Sequence, residues 1–371
     1  GILTTVMRSP ENRLPMAHLL NDDGSWRVRD DAFCWYRTEN ELKAGGISIG
    51  FAVYGGEPHH FGPEMQFGHV VGDAFSDPVL IIKTAWGGLS LAEDFRPPSA
   101  AGNTGAYYDN MIETVYEVTQ NLGVEFPELG VTDFESSGFA WFQGWNDGAS
   151  PEFLEEYEDN LYHRVDDVRS DLGNLNMPVV VANSGQVGFM LSNDMWVQNM
   201  QNIVSVAQEN IGCSDTLYGG TVGFRDTKQF YLDAEQSPDN SIHHFHNNAL
   251  TFLNVGKALG EEMILAMNDM AFCYTDCEDQ VAPGFVSIGN RVWNDLDMDG
   301  INDPNEPGIP GVSSVLWSDP DGDGIPDWQG FSGVEVTDED GYYRFSGLAP
   351  GNYVVFVWQV DNWADGQPLH G

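Results

Sequence analysis

The chain has 371 residues and is strongly acidic: Lys+Arg 15 against Asp+Glu 57 gives a formal net charge of -42, which argues against nucleic acid or an anionic membrane surface as a partner. No stretch reaches the roughly 18 apolar residues of a membrane span, and no charged-then-apolar leader opens the chain. The length exceeds one ordinary core, and a hydrophobic content of 42% is enough to fill two cores of unequal size.

Residue 1 is Gly and Thr4 to Glu11 reads as a polar connecting region, so the chain is expected to be a fragment, with any secretion signal lying upstream. The first large segment alternates short apolar runs with amphipathic stretches, the pattern of strands crossed over by helices in a mainly parallel sheet, an α/β domain. Val79 to Ile82 reads as a buried strand ended by Ala85-Trp86-Gly87-Gly88. Tyr107 to Leu122 has helical spacing, with Met111, Val115, Val118 and Leu122 on one side. Phe139 to Phe142 is the next strand, and Ser150-Pro151 is an N-cap with Pro at the first helical position. The helix begun there places Leu154, Tyr157, Leu161, Val165, Val168 and Leu172 toward a core. Pro178 to Val181 and Thr221 to Phe224 supply two more strands, with a helix from Asn193 to Glu209 between them, and a last helix runs from Ala249 to Met267.

In open sheets of this kind ligands bind outside the carboxyl ends of the strands. Those ends here are Trp86-Gly87-Gly88, Gln143-Gly144-Trp145-Asn146-Asp147, Asn183-Ser184-Gly185 and Arg225-Asp226, which places the site along one edge. Trp86, Trp141 and Trp145 near that edge suit stacking on sugars, with core packing an equal alternative for Trp141.

The four cysteines, Cys34, Cys213, Cys273 and Cys277, show no CxxC or Cys/His finger spacing, so a structural zinc site is not expected. One or two disulfides fit an extracellular protein. Free buried thiols are an equal alternative for Cys34 and Cys213, and a local bridge is favoured for Cys273 with Cys277.

From about Phe285 the texture changes to short alternating strands with close turn residues, the mark of a small β-sandwich. Asp338-Glu339-Asp340-Gly341 between Val334–Val336 and Tyr342–Phe345 is a hairpin signal, with Asp338 and Asp340 read as turn formers. Residues 286–371 carry 2 basic and 15 acidic side chains. Asp295, Asp297, Asp299, Asp303 and Glu306 stand at positions 1, 3, 5, 9 and 12 of a loop, with Gly300 at the sixth and the Ile301 carbonyl at the seventh, the spacing with which a 12-residue loop wraps Ca2+ in oxygen ligands. Five carboxylates this close repel each other without a cation. Asp319, Asp321, Asp323 and Asp327 repeat the spacing, but Gly330 stands at the twelfth place. Calcium at these loops is expected to support folding, not chemistry.

This module resembles the calcium-binding B-type repeats of bacterial surface adhesins, the SdrD B-like domains within the wider Cna-B-like group. The resemblance rests on Ile288 to Asp295, the acidic loop, Gly308 to Val312, Asp338 to Phe345 and Gly347 to Tyr353. It implies a rigid spacer completed by calcium, and a secreted or cell-surface location.

The segments Phe61-Gly62-Pro63-Glu64-Met65, Lys83 to Gly88 and Trp141 to Asp147 resemble the sialate O-acetylesterase group of SGNH hydrolases, over roughly residues 20–265. The resemblance implies a three-layer, flavodoxin-like α/β fold and hydrolysis of acetyl esters on a glycan by a Ser nucleophile, a His base and oxyanion donors. It places the donors at Gly87 or Gly88 and at Asn146, with Gln143 as the alternative. The base is expected on the loop entering the last helix, His244 first and His246 second. A transition metal held by His243, His244 and His246 is the other reading of that cluster, but no fourth ligand stands nearby in sequence. The places two and three residues before His244 hold Ile242 and Ser241, not Asp, and Asp239 is the nearest candidate for the orienting acid. Residues 1–20 contain no Gly-x-Ser motif, so the nucleophile and first strand are expected upstream of this chain and the fragment is expected to be inactive. Gly46-Ile47-Ser48-Ile49-Gly50 matches a nucleophile elbow in letters only, because the elbow needs a buried strand before it and a helix after it.

The expected organisation is an esterase domain over residues 1–270, a linker 271–284, a calcium-binding β-sandwich 285–358 and a linker or truncated continuation 359–371, with further domains lost at both ends. The expected partner is an acetylated glycan. The rival from another class is a non-catalytic surface or glycan-binding protein on an inactive esterase scaffold.

Overall fold

The computed structural model describes residues 16–38, 41–52, 60–131, 133–184, 188, 194–235, 237, 242–268, 271, 286–296, 302, 306–319, 331–348 and 351–357. The chain divides into two compact units, one on residues 28–277 and the other on residues 278–371, with residues 4–27 grouped with the latter.

The larger unit contains two three-stranded sheets. In the first, β1 (Ala32–Arg37) lies between β2 (Leu42–Gly46), which is antiparallel to it, and β3 (Val79–Lys83), which is parallel and in register from Ala32 opposite Val79 to Tyr36 opposite Lys83. In the second, β5 (Val179–Ala182) lies between β4 (Phe139–Trp141) and β6 (Val222–Arg225), all parallel. The run Val179-Val180-Val181-Ala182 is wholly buried, as a central strand covered on both faces requires.

The alternation of β5 shows which helices cover which face. Val179 and Val181 pack with Leu161 and Val165 of α3 (Pro151–Asp171) and with Ala207 and Ile211 of α5 (Ser205–Gly212). Val180 and Ala182 pack with Val255, Leu259 and Met263 of α6 (Ala249–Ala266). Helices on both faces of a parallel sheet make the three-layer α/β arrangement. Before these, α1 (Glu64–Ala74) packs on β1, β3 and α6, and α2 (Ala106–Gln120) packs on β3. The predicted start of α3 is observed, with Ser150 extended as N-cap and Pro151 at the first position. The helix read from Asn193 to Glu209 is an α segment, α4 (Met195–Asn199), then a π turn (Met200–Val204), then α5. Asp194 caps it by accepting from the Trp196 and Val197 amides.

Among the ion pairs of the unit, two engage buried glutamates. Lys83, at the end of β3, reaches Glu64 of α1 at 2.8 Å and also donates to the Phe51 carbonyl at 2.8 Å. Arg225 of β6 meets the fully buried Glu262 of α6 at 2.8 Å. Cys34 is a buried free thiol whose pKa burial pushes up. Cys213 is disulfide-bonded, which decides against the free-thiol alternative for it; Cys273 and Cys277 lie outside the described residues. No helix among the described residues is long and apolar enough to cross a membrane.

The smaller unit is a β-module of two antiparallel sheets. One pairs β7 (Val286–Arg291) with β10 (Tyr342–Leu348), and the other orders β11 (Tyr353–Val357), β8 (Ser313–Ser318) and β9 (Phe331–Val336). Leu316, Phe345 and Leu348 form its core with Ile288, Tyr343, Tyr353 and Val355. The turn before β10 forms as read, with the Asp338 carboxylate accepting from the Asp340 and Tyr342 amides. It does not make a hairpin, however: β9 pairs with β8 and β10 with β7, so the turn links two sheets. The local alternation that suggests a hairpin is equally met by an arch between layers.

Candidate active site

The carboxyl ends of β3 and β4 converge. Gly88 follows β3 in a left-handed conformation, φ +78°, which only Gly adopts without strain. A Cβ placed on it would lie 3.9 Å from Asn146 Nδ2, so Gly88 and Asn146 are neighbours across the edge. Gly87 beside it is exposed, with open space where a Cβ would be. Gly144 is required for a second reason: at φ +147° its Cα approaches Val204 and Tyr157 so closely that a Cβ would stand 2.6 Å from Val204 Cγ1.

Gln143 and Asn146, the two alternative amide donors, are separated by their hydrogen bonding. The Gln143 side-chain amide donates to the Leu89 carbonyl at 3.1 Å and to Asp147 Oδ2 at 2.6 Å, which occupies both of its N–H groups. Its backbone carbonyl accepts from Tyr157 at 3.1 Å and from the Gln208 side chain. Gln143 therefore ties the loop after β3 to the loop after β4. The Asn146 side chain makes no hydrogen bond among the described residues and is half-buried.

Asp147 is the residue that sequence reasoning missed. It is completely buried and accepts from the Leu91 and Ala92 amides at 3.0 Å and from Gln143. Burial pushes its pKa up to about 6, against the opposing pull of these hydrogen bonds. Its place directly after Asn146 is the only signal the sequence offers.

The turn entering α6 supplies the histidines. Residues 242–247 form a short helical turn in which Phe245, His246 and Asn247 have φ of 50°, 51° and 55°, a left-handed run costing of order 1–2 kcal/mol per residue that the surrounding packing must hold. Phe245 stacks on Phe142, one residue before Gln143, with ring centroids 6.1 Å apart, and this brings the turn to the same edge. His246 is buried, its Nε2 2.8 Å from the Tyr231 hydroxyl, while its Nδ1 has no hydrogen bond. The side chains of His243 and His244, and Asp239 entirely, lie outside the described residues.

Residues 16–264 match the family described as carbohydrate esterase, sialic acid-specific acetylesterase, over more than half of the chain. The chain belongs to that esterase family. Residues 286–367 match the SdrD B-like domain. No curated protein matches the chain. Among solved structures it is similar to a protein of Arabidopsis thaliana, with 15% identity and TM-score 0.43 over 65% of this chain and 88% of the other. It is also similar to a carbohydrate acetylesterase from Xanthomonas citri, with 13% identity and TM-score 0.42 over 94% of this chain and 71% of the other.

Within the esterase unit, Trp145 and Trp196 form a tilted pair with centroids 5.5 Å apart beside Asn146, and the Trp196 indole donates to the Trp145 carbonyl at 3.1 Å. Trp196 is 37% exposed. Trp86 packs on Tyr107 at 5.1 Å. Trp141 is buried under the Arg164 guanidinium at 3.8 Å, which makes it a core residue. At the far strand ends Asn183 donates to Asp226 at 2.7 Å and accepts from the Thr227 amide at 2.7 Å. Ser48 follows the antiparallel edge strand β2 rather than a buried parallel strand, so Gly46 to Gly50 lacks the setting of an elbow.

In the β-module, Trp293 bridges to Gly308 and the Asn294 amide donates to the Pro307 carbonyl at 2.9 Å, so the ends of the acidic loop meet. Glu306 is buried and accepts from the Leu296 amide at 2.7 Å, turning the last acid of the loop back onto its beginning. Asp319, the first acid of the second loop, is also buried. Two buried carboxylates at the rims of acid-rich loops fit a hard cation. Asp297, Asp299, Ile301, Asp303, Asp321, Asp323 and Asp327 lie outside the described residues, and no group of three potential ligands comes together among the described ones.

Proposed function

We propose that the α/β unit hydrolyses acetyl esters on a glycan. The observation that carries this reading is the meeting of Gly88 and Asn146, with the Asn146 amide uncommitted and Gln143 and Asp147 holding the two loops together. In the reaction a serine Oγ attacks the acetyl carbon as a histidine takes its proton. The carbonyl oxygen becomes an oxyanion facing the Asn146 amide and the backbone at Gly88. The C–O bond to the sugar breaks, the sugar oxygen takes the proton from histidine, and water then removes the acetyl group from the serine by the same steps. The base is His244, with His246 second because its Nε2 is already engaged by Tyr231. Asp239 or another acid orients the base. The Trp145–Trp196 pair offers a sugar-stacking surface beside the reacting group.

The module carries structural calcium at Asp295 to Glu306 and at Asp319 to Asp327, as a spacer in an extracellular protein. Burial of Glu306 and Asp319 supports this assignment.

The test is Asn146→Ala in the full-length protein, assayed on an acetylated oligosaccharide. The expected result is a fall in kcat of about 100- to 1,000-fold with little change in KM. An unchanged kcat removes Asn146 from the oxyanion site and with it the basis of the reading.

A further inference from the structure

The segment from Met195 to Gln208, which carries α4, the π turn and the start of α5, contains no charged residue. Its neighbour in the same helical layer, α3, carries eight carboxylates. Asp194 and Glu209 bound the uncharged stretch, and between them the side chains are apolar, Ser, Asn or Gln.

One side of this segment is anchored. Met200, Val204 and Ala207 enter the core beside Trp141 and Val181. Three side chains tie it to the loop after β4: the Trp196 indole to the Trp145 carbonyl, Asn199 to the Gly148 carbonyl at 3.1 Å, and Gln208 to the Gln143 carbonyl. The loop that carries Asn146 is thereby fixed against the segment on both sides of that residue. The other side is open. Trp196, Asn202, Ile203 and Val206 are exposed along about 15 Å of helix, at 1.5 Å per residue. Exposed apolar side chains gathered in one row mark a contact surface, unlike single ones scattered over a protein.

The basic residues of the α/β unit argue in the same direction. All ten Lys and Arg between Val28 and Cys277 are described, and eight of them pair with carboxylates. Arg164 is sealed among Phe95, Tyr108, Phe139 and Trp141 and donates to the Phe95 carbonyl at 3.0 Å. Arg169 is also buried, on the Met177 carbonyl and the Thr221 hydroxyl. At the carboxyl ends of the strands Lys83 is held by Glu64, Arg225 by Glu262, and Lys228 by Asp226 at 3.2 Å. A sugar carboxylate arriving at this edge meets carboxylates and committed cations, in the field of a chain with net charge -42. Its desolvation goes unrepaid.

We propose that the exposed side of Met195–Gln208 binds the sugar chain next to the acetylated residue, and that this chain is an uncharged polysaccharide. The inference rests on the ester hydrolysis proposed above and names its substrate class. Trp196 stacks on one sugar ring beside Asn146. Ile203 and Val206 cover the C–H faces of further rings, and Asn202 hydrogen-bonds their hydroxyl groups. Neutral sugars suit such a surface because their hydroxyls pair with amides and call for no counter-charge. The family is described as sialic acid-specific, and sialic acid carries a carboxylate; the charges of this chain select against one.

Calorimetric titration of the full-length protein tests this with probes that carry no acetyl group, so nothing is turned over. Two sets of oligosaccharides of equal length are compared, one built of glucose, galactose or mannose, the other of uronic or sialic acids. The expected outcome is tighter binding in the neutral set by about tenfold or more at low ionic strength, narrowing as salt is added. Within the neutral set, hexasaccharides should bind better than disaccharides, and the double variant Asn202→Ala/Val206→Ala should lose about fivefold on the hexasaccharides alone. Equal or tighter binding of the acidic set overturns the inference, and so does an absence of binding in both sets. A double variant that holds hexasaccharides as tightly as the parent overturns the assignment of the face. Acetyl release is measured separately on O-acetylated forms of the same sugars: if it is missing while neutral chains bind as expected, the esterase reading falls and the binding surface stands.

Discussion

The two units differ in how many cationic partners their own chain offers to carboxylates. In the α/β unit the buried acids meet donors supplied by the fold: Glu64 has Lys83, Glu262 has Arg225, and Asp147 has two backbone amides and Gln143. In residues 286–371, with 2 basic and 15 acidic side chains, the chain cannot furnish such partners in number. A protein-supplied cation makes stability a property of the chain, whereas a bound ion makes it a property of the solution.

Glu64→Ala should give the largest effect on the self-sufficient side. It strands the buried Lys83 ammonium and should cost about 3–5 kcal/mol, read in calorimetry as a lower melting transition for the α/β unit with the module's unchanged. Chelation is the converse experiment. Excess EGTA should lower the module's Tm by several degrees and leave the α/β transition in place; equal loss of both would show that the metal couples them.

Asp147 sharpens the comparison through pH. Its folded pKa, pushed up to about 6, lies above the unfolded value of ~3.9, so the folded state holds the proton more tightly. Its contribution to stability is therefore fully present below about pH 4 and is lost as pH rises through about 6, a change of roughly 3 kcal/mol at most. Asp147→Asn should flatten that part of the stability profile of the α/β unit, and an unaltered slope would assign it to other groups. The smallest effect is expected at the Trp145–Trp196 pair, the proposed sugar platform. Trp196→Ala should weaken an acetylated oligosaccharide by about 1 kcal/mol, near fivefold in KM, while leaving turnover of p-nitrophenyl acetate unchanged.

Much of the site was legible because strand ends in a parallel sheet are written locally. Gly87-Gly88 and Gln143 to Asp147 are small and polar residues directly after apolar runs, and the structure brings these two segments together. What sequence left open between Gln143 and Asn146 was a matter of partners: both carry the same amide, and only the bonds to Leu89 and Asp147 show that Gln143 is engaged. The arch at Asp338 was read as a hairpin for a similar reason, since a turn's residues determine its bend but not the strands that flank it. Trp141 and Trp145, alike in letters, divide into a core ring under Arg164 and a surface ring on Trp196.

The sequence by itself determined the α/β pattern, the edge on which the candidate residues stand and the spacing of the acidic loop. These follow from periodicity, turn chemistry and charge, which act over a few residues. Only the tertiary structure decided which amide is free, that Asp147 fastens two loops, and that β3 and β4 stand apart with apolar side chains uncovered between them. Those depend on what lies across space from a residue, and neighbours distant in sequence are set by packing alone.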